Sequence, residues 1–145
     1  MKLIIICSGG GKTTLSKNNE GIFMDIDTLI WSKENEKHHP KLKEAIEQMN
    51  IMKIAEIYRK IIKKNKKGLL RSNKVILAHH PICGDWLGIK PTLTLKPIYT
   101  LHQDVTKSFD SSKKCLSDLS WMNLVDAKEF TTFEELQQIV LSSIN

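Results

Sequence analysis

Arginine is nearly absent from this chain of 145 residues, since Arg59 and Arg71 are the only two. Lysine and arginine together number 22 against 16 acidic residues, so the formal net charge is +6 and almost all of the positive charge is lysine. Lysine is a point charge and lacks the planar fork with which arginine holds a phosphate at two points. The composition restricts any mechanism that needs arginine, while the net charge favours phosphate-bearing or acidic partners.

Cysteine and long apolar runs are scarce as well. Cys7, Cys83 and Cys115 are far apart and form neither a CxxC pair nor a zinc-binding spacing, which indicates thiols in a reducing compartment. The apolar run over residues 2–7 is too short for a membrane span or for the core of a signal peptide, and glycines follow it at once. We therefore expect a cytoplasmic protein without a membrane partner.

The length of the chain fits one domain over residues 1–145, and its pattern alternates strands with helices. Apolar and β-branched segments predict strands over residues 2–7, 21–27, 74–78, 92–96 and 122–125, with 98–101 as an alternative to 92–96. Helical patterns cover residues 12–19, 40–67 as two helices, part of 103–119, and 132–143, which begins like a capping box.

Strands that alternate with helices predict an α/β fold, in which a parallel sheet is covered by helices on both faces. Right-handed crossovers bring the strand-to-helix loops together at one edge of such a sheet. We therefore expect the loops after residues 7, 27, 78 and 96 to meet there. The candidate functional residues lie in or near these loops.

A glycine-rich loop joins the first predicted strand to the first helix and reads Ser8-Gly9-Gly10-Gly11-Lys12-Thr13-Thr14. Glycines let backbone N–H groups curl closely around an anion, and a helix N-terminus adds partial positive charge. Lys12 supplies a mobile cation to the outer phosphates, and the Thr13 hydroxyl can bind Mg²⁺. We expect residues 8–14 to bind ATP or a related nucleoside triphosphate with Mg²⁺. The alternative is a glycine-rich turn followed by a chance Lys-Thr pair.

The same segment resembles the Walker A motif of P-loop NTPases. It departs from that motif at Ile6, where the motif has its first glycine.

Two carboxylates, Asp25 and Asp27, close the second predicted strand. Side chains two positions apart on a strand point the same way, so both would face the phosphate loop across the first crossover. One carboxylate can support Mg²⁺ or its water shell, and the other can accept a proton from an attacking hydroxyl. The alternative is a solvated strand end.

The phosphate loop, the Asp-x-Asp strand end, a helical insertion over residues 32–70, a polar lid-like segment over 98–120 and the final helix together resemble the small P-loop kinases. These include shikimate kinase, the nucleoside monophosphate kinases and the kinase module of polynucleotide kinases. The resemblance implies a three-layer P-loop NTPase fold with a five-stranded parallel sheet in the order 2-3-1-4-5. In shikimate-kinase-like members, the residue matching Asp25 lies near Mg²⁺ and the residue matching Asp27 meets the substrate.

The activity that this resemblance implies is transfer of the γ-phosphate of ATP, with Mg²⁺, to a hydroxyl or phosphate acceptor. The basic charge favours a nucleoside, a nucleotide or a polynucleotide 5′ end as that acceptor. Two rival functions remain open at this point. One is a nucleotide-binding or slow NTPase subunit of a larger assembly that handles nucleic acid, and the other is a degenerate kinase fold used as an interaction module.

The lid-like segment departs from the family because it carries Lys107, Lys113 and Lys114 where arginines normally stabilise the transferring phosphoryl group. An arginine finger is worth about 10³ to 10⁵ in rate. The sequence therefore implies weaker catalysis, a role for Arg59 or Arg71, or an arginine from a second chain in an oligomer.

Residues 53–74 hold nine basic side chains and one acidic one, Glu56. A solvated helix face is the simpler interpretation of this segment, and contact with a nucleic-acid backbone is the alternative.

Five further side chains give weaker signals. His79 and His80 end the third predicted strand, where a structural role competes with a substrate contact. The tryptophans are scattered and are expected in the core rather than in a platform for a nucleobase: Trp31, Trp86 and Trp121.

Overall fold

The computed structural model describes residues 2–145, so that Met1 of the predicted domain lies outside the described residues. Its strands are β1 (Leu3–Ile6), β2 (Phe23–Asp25), β3 (Val75–Ala78), β4 (Leu93–Pro97) and β5 (Lys128–Phe130). They form one five-stranded sheet in the order β2-β3-β1-β4-β5, and every neighbouring pair is parallel. The predicted α/β class, the direction of the strands and their order are confirmed.

Helices connect these strands throughout the described residues. They are α1 (Lys12–Asn18), α2 (Ile26–Ile30), a 3-10 helix (Lys33–His38), α3 (His39–Glu47), α4 (Ile51–Arg71), α5 (Ile82–Leu87), α6 (Tyr99–Thr106), α7 (Ser111–Asn123) and α8 (Phe133–Ile144). Within residues 2–145, none of them combines the length and apolar character needed to cross a membrane. The two helices predicted over residues 40–67 correspond to α3 and α4, and the predicted last helix corresponds to α8.

Strand β1 lies at the centre of the sheet because its four side chains are all apolar and can be buried on both faces. Leu3 and Ile5 point into a cluster with α4 and α5, whereas Ile4 and Ile6 point into a second cluster with α1 and α8. Alternation along the strand therefore gives the sheet two covered faces. Full burial of each of these side chains contributes roughly 1.5–3 kcal/mol.

The second strand is shorter than predicted. β2 ends at Asp25, whose side chain accepts a hydrogen bond of 2.9 Å from the backbone N–H of Asp27 and so caps helix α2. Asp27 consequently lies in the first turn of a helix rather than on the strand. The prediction that residues 26 and 27 continue the strand is wrong, because a local side-chain cap competes with the ladder at this position.

The fifth strand was predicted in the wrong place. Residues up to Asn123 belong to α7, and Val125 is 79% exposed. The strand lies instead at Lys128–Phe130, where only Phe130 is buried. An edge strand with two charged, exposed side chains lacks the apolar signal on which the prediction depended. The alternative fourth strand over 98–101 is also wrong, since α6 begins at Tyr99, and β4 matches the preferred choice.

Candidate functional site

The glycine loop lies between the end of β1 and the first residue of α1. Gly9 and Gly11 have φ values of 78° and 102°, in the left-handed region that residues other than glycine rarely adopt. At Gly10, an added Cβ would come within 2.6 Å of Ile6 Cγ2 and 2.8 Å of the Cys7 carbonyl oxygen. The three glycines therefore allow a turn too tight for side chains, directly after a buried strand.

Backbone donors are left available by this turn. Among residues 2–145, no group accepts a hydrogen bond from the N–H of Gly9, Gly11, Lys12, Thr13 or Thr14. The N–H of the remaining glycine is used within the loop. It donates to the Cys7 carbonyl at 2.9 Å. Free N–H groups at the start of a helix form an anion-binding concavity.

A cavity of about 650 Å³ adjoins the loop, and all five residues with free N–H groups line it. Its polar wall also includes Asp27, His79 and Lys113. Its apolar wall is formed by Trp31, Ile46, Ile51, Ile54, Val105, Phe109, Leu116 and Leu119. Volumes of 300–1,000 Å³ with a few convergent polar groups are typical of small-molecule sites.

Lys12 and Asp27 meet on the wall of this cavity. Lys12 is only 5% exposed, and its Nζ lies 3.5 Å from Asp27 Oδ2. The hydroxyl of Tyr58 donates to Asp27 Oδ1 at 2.9 Å, and Nδ1 of His79 lies 3.6 Å from the same oxygen. Burial acts to raise the pKa of Asp27, but Lys12, His79 and Tyr58 outweigh it and hold this pKa well below its usual range. Asp27 is therefore an ionised carboxylate.

Asp25 lies behind Asp27 and does not line the cavity. It is 2% exposed; Oδ1 accepts the hydrogen bond from Asp27, and the buried Oδ2 has no hydrogen-bond partner among residues 2–145. Burial, followed by the charge of Asp27, raises the pKa of Asp25. The two carboxyl groups predicted as one pair thus have opposite environments, and only Asp27 reaches the cavity and Lys12.

Magnesium would have few protein ligands here. No group of three or more His, Cys, Asp or Glu side chains among residues 2–145 is placed to hold a metal ion. The Thr13 side chain lines the cavity and makes no hydrogen bond within the described residues, so its hydroxyl is available as a ligand. Mg²⁺ commonly takes one or two protein ligands and completes its shell with phosphate oxygens and water. The residues present therefore fit a magnesium ion that arrives with a nucleotide.

Ser8, which was predicted to bind the nucleotide, lines the cavity and also attaches the loop to α6 and α7. Its N–H donates to Ser120 Oγ at 3.1 Å, and its hydroxyl lies 3.1 Å from Ser117 Oγ. Its carbonyl accepts a hydrogen bond of 3.1 Å from Nε2 of buried His102, whose pKa is lowered by burial. The lid-like segment thus consists of two helices, α6 and α7, that are hydrogen-bonded to Ser8 of the glycine loop.

One of the three lysines in this segment reaches the cavity. Lys113 lines the wall, with its Nζ 4.6 Å from the centre of the Phe109 ring. Lys114 lies 3.4 Å from Asp118 within α7, and Lys107 forms an exposed pair within α6. The cationic atom that the lid offers to a ligand is therefore the amine of Lys113.

Neither arginine lines the cavity, because Arg59 and Arg71 lie on the exposed face of α4. Of the three alternatives given for the missing lid arginines, a role for Arg59 or Arg71 receives no support from the cavity lining.

Three cavity residues were missed or misassigned from the sequence. Trp31 was expected in the core, but it is 38% exposed and lines the cavity. Tyr58 was assigned to the apolar face of its helix, although a buried tyrosine hydroxyl needs a partner, and that partner is Asp27. For His79, the sequence allows either a structural role or a substrate contact. Its Nδ1 lies 3.6 Å from Asp27 Oδ1, and this contact joins residues that are far apart in the chain.

The architecture and the geometry of the cavity are the basis for assigning a function. No protein-family model matches the chain, and no curated protein is detectably similar to it.

Proposed function

We propose that this protein is a Mg²⁺-dependent phosphotransferase that moves the γ-phosphate of ATP to an acceptor. The observation that carries the proposal is the pair of buried Lys12 and half-buried Asp27 beside the free N–H groups of the glycine loop. An ammonium group and several backbone donors that converge on one cavity wall form a site for a multiply charged anion. We also propose, on the same basis, that the fold is a P-loop NTPase fold.

The donor side of the reaction is assigned to the loop. The Lys12 amine and the five free N–H groups of the loop bind the phosphates, and Thr13 contributes its hydroxyl to the magnesium ion. When bound, Mg²⁺ neutralises charge on the phosphate oxygens. Lys113 is the cation of α7 that faces the transferring phosphoryl group, with a point charge in place of an arginine fork.

The acceptor side is assigned to the first turn of α2. Asp27 faces the cavity and orients the acceptor hydroxyl. Asp25 acts through Asp27, since its carboxyl holds the turn and lies off the cavity wall. Asp25 therefore contributes only indirectly to the binding of magnesium.

The apolar wall supports an acceptor that carries a nucleobase. Trp31, Phe109 and Tyr58 provide aromatic surface within a cavity that also holds the phosphate-binding groups. Stacking of a base on an aromatic side chain is worth about 1–3 kcal/mol. A nucleoside, a nucleotide or a polynucleotide 5′ end fits this combination better than a small polar metabolite.

The test measures Mg-ATP affinity by titration calorimetry for the wild type, Lys12→Ala and the control Lys17→Ala, which changes an exposed lysine of the same helix. We expect Lys12→Ala to lose at least about tenfold in affinity, since a charge-assisted hydrogen bond contributes roughly 1.5–3 kcal/mol. Labelled ATP with pooled nucleosides, nucleotides and oligonucleotides then identifies the acceptor. Equal affinities for the three proteins would overturn the phosphate-binding role of the loop.

A second candidate function is a slow NTPase subunit of a nucleic-acid assembly. It is favoured by the exposed basic face of α4 and by the lack of an arginine on the cavity wall. Hydrolysis of ATP without transfer to any pooled acceptor would support it. Binding of Mg-ATP with neither reaction would leave the fold as an interaction module.

A further inference from the structure

His79 follows β3 at the same sheet edge as the glycine loop and lines the cavity. Its Nδ1 is fully buried and lies 3.6 Å from Asp27 Oδ1, whereas the side chain as a whole is 25% exposed. The exposed surface therefore belongs to the other atoms of the side chain. One ring nitrogen faces the carboxylate, and Nε2 is the nitrogen that remains for a ligand.

Contacts from two other helices fix the position of this residue. The ring of Tyr58 on α4 packs against the imidazole edge-to-face, with 5.3 Å between the ring centres. From α7, the hydroxyl of Ser120 donates to the His79 carbonyl at 3.3 Å and also accepts the N–H of Ser8. His79 is thereby tied to the loop that is proposed to hold the phosphates.

The Asp27 carboxylate serves two basic partners through different oxygens. Lys12 contacts Oδ2, whereas His79 and Tyr58 contact Oδ1. When phosphates attract the Lys12 amine away from Asp27, His79 becomes the main partner of the negatively charged Asp27 carboxylate. A separation of 3.6 Å is just outside hydrogen-bonding distance, and such catalytic contacts often shorten when the substrate binds.

A carboxylate with a strongly lowered pKa is a weak base, so Asp27 is better suited to hold a cation than to accept a proton. A neutral imidazole accepts protons near neutral pH. The arrangement of carboxylate, imidazole and cavity resembles that of a nucleophile-activating pair, in which the acid orients the base.

We propose that His79 is a catalytic residue of this site, and that its Nε2 takes the proton of the acceptor hydroxyl while Asp27 holds the ring. The inference rests on the phosphotransferase function proposed above. The acceptor oxygen forms a bond to the γ-phosphorus, and the bond from that phosphorus to the β–γ bridging oxygen breaks. The electron pair leaves with ADP, and the resulting imidazolium is balanced by the Asp27 carboxylate.

The experiment compares the wild type with His79→Gln, His79→Ala and the control His38→Gln. His38 is the matched control, because it is a histidine that does not line the cavity. We expect the turnover number of His79→Gln to fall about 10² to 10⁴-fold, with Mg-ATP affinity within about twofold of the wild type. Imidazole added to His79→Ala should restore part of the turnover. If the substitution only disturbed the structure, added imidazole would not restore turnover.

The pH profile gives a further readout. The titratable groups that face His79 are Asp27 on α2, Asp25 on β2, Tyr58 on α4 and the neighbouring His80. The pH profile of turnover reports the groups that take part in proton transfer, so the profile of His79→Gln should differ from that of the wild type. The acceptor is the one found with the pooled substrates, or water when ATP hydrolysis is the only reaction.

The outcomes distinguish the two proposals. Transfer by the wild type combined with unchanged turnover and pH profile in His79→Gln overturns the role of His79 and leaves the phosphotransferase standing. A loss of Mg-ATP affinity in His79→Gln equal to its loss of turnover also overturns it, since His79 would then act in binding. A wild type that does not bind Mg-ATP overturns both proposals.

Discussion

Asp27 is the side chain in which the polar contacts of the cavity converge. Replacement by asparagine removes the charge that holds Lys12 at 3.5 Å but keeps an oxygen for Tyr58. We expect Asp27→Asn to bind Mg-ATP as tightly as the wild type or a few-fold more tightly, because phosphate no longer competes with an internal carboxylate.

The turnover of Asp27→Asn should nevertheless fall by about 10² to 10⁴-fold. Titration calorimetry and steady-state kinetics measure the two effects separately. Asp126→Asn is the matched control, since Asp126 is exposed and distant from the cavity lining. Full turnover in Asp27→Asn would contradict the assignment of this residue.

Asp25 should make the stability of the protein depend on pH in the opposite sense to Asp27. Burial and the charge of Asp27 raise the pKa of Asp25. The contribution of Asp25 to the stability of the fold is therefore complete below about pH 3.9 and is lost as the pH rises through the folded-state pKa of this residue. Asp27 has a lowered pKa, so its contribution is present above about pH 3.9 and is lost only in strong acid.

Urea unfolding from about pH 4 to about pH 7 tests this difference. Wild-type stability should fall relative to Asp25→Asn as the pH rises, because asparagine keeps the cap without gaining a charge. The exposed control Asp126→Asn should follow the wild type. Parallel curves for wild type and Asp25→Asn would show that the charge of Asp25 does not destabilise the folded protein.

Individual site residues differ in how far the sequence determines them. Lys12 and the glycines are identified by local order alone, since a strand, a tight turn and a helix follow one another. The pattern predicts Asp27 at the end of a strand, whereas Asp27 lies in the first turn of α2. The contacts of Asp27 with Tyr58 and His79 depend on how distant elements pack, and local patterns do not contain that information.

At the scale of elements, α7 acts as a support for the glycine loop. Ser117 and Ser120 are buried on this helix and contact two of the polar groups of Ser8. Ser120→Ala would leave the Ser8 N–H without its partner, which costs about 1–3 kcal/mol. We expect lower stability in urea and weaker Mg-ATP binding, because the loop is then held less firmly.

The control for this change is Ser142→Ala, an exposed serine of α8. Reduced stability of Ser120→Ala with unchanged Mg-ATP affinity would mean that α7 stabilises the fold without positioning the loop.

The elements themselves were predictable where the sequence carries a clear apolar pattern. β1 and β3 are short apolar runs, and α8 combines a Thr132 cap with an apolar face. β5 was not predictable, since two of its three side chains are exposed and charged while the apolar Val125 nearby is exposed. An edge strand is defined by its pairing with β4, which a local pattern does not encode.

At the scale of the whole molecule, positive charge is concentrated on α4. Arg59, Lys60, Lys63, Lys64 and Lys67 are all exposed there, and Glu56 is paired with Lys60 at 3.4 Å. If this face contacts a polynucleotide, binding should weaken steeply with salt, because neutralised phosphates release counterions.

Charge reversal at Lys60, Lys63 and Lys64 should reduce binding of all oligonucleotide sequences alike and flatten the salt dependence. Fluorescence anisotropy at several salt concentrations measures both effects. A control with the same change of net charge reverses three exposed lysines elsewhere, Lys17, Lys90 and Lys128. Equal losses in the two triple variants would indicate attraction by overall charge rather than by this face.

The position of β1 between β3 and β4 has a consequence for how firmly the two sides of the cavity are held. The glycine loop is attached to the central strand, whereas Asp27 follows β2, a strand of three residues at the edge of the sheet. Edge elements fray at lower cost than central ones. Amide protons of β1 should therefore exchange with deuterium last and those of β2 much earlier. The cavity thus has a rigid side at the glycine loop, where the proposed phosphate donor binds, and a softer side at Asp27, which can adjust to the proposed acceptor.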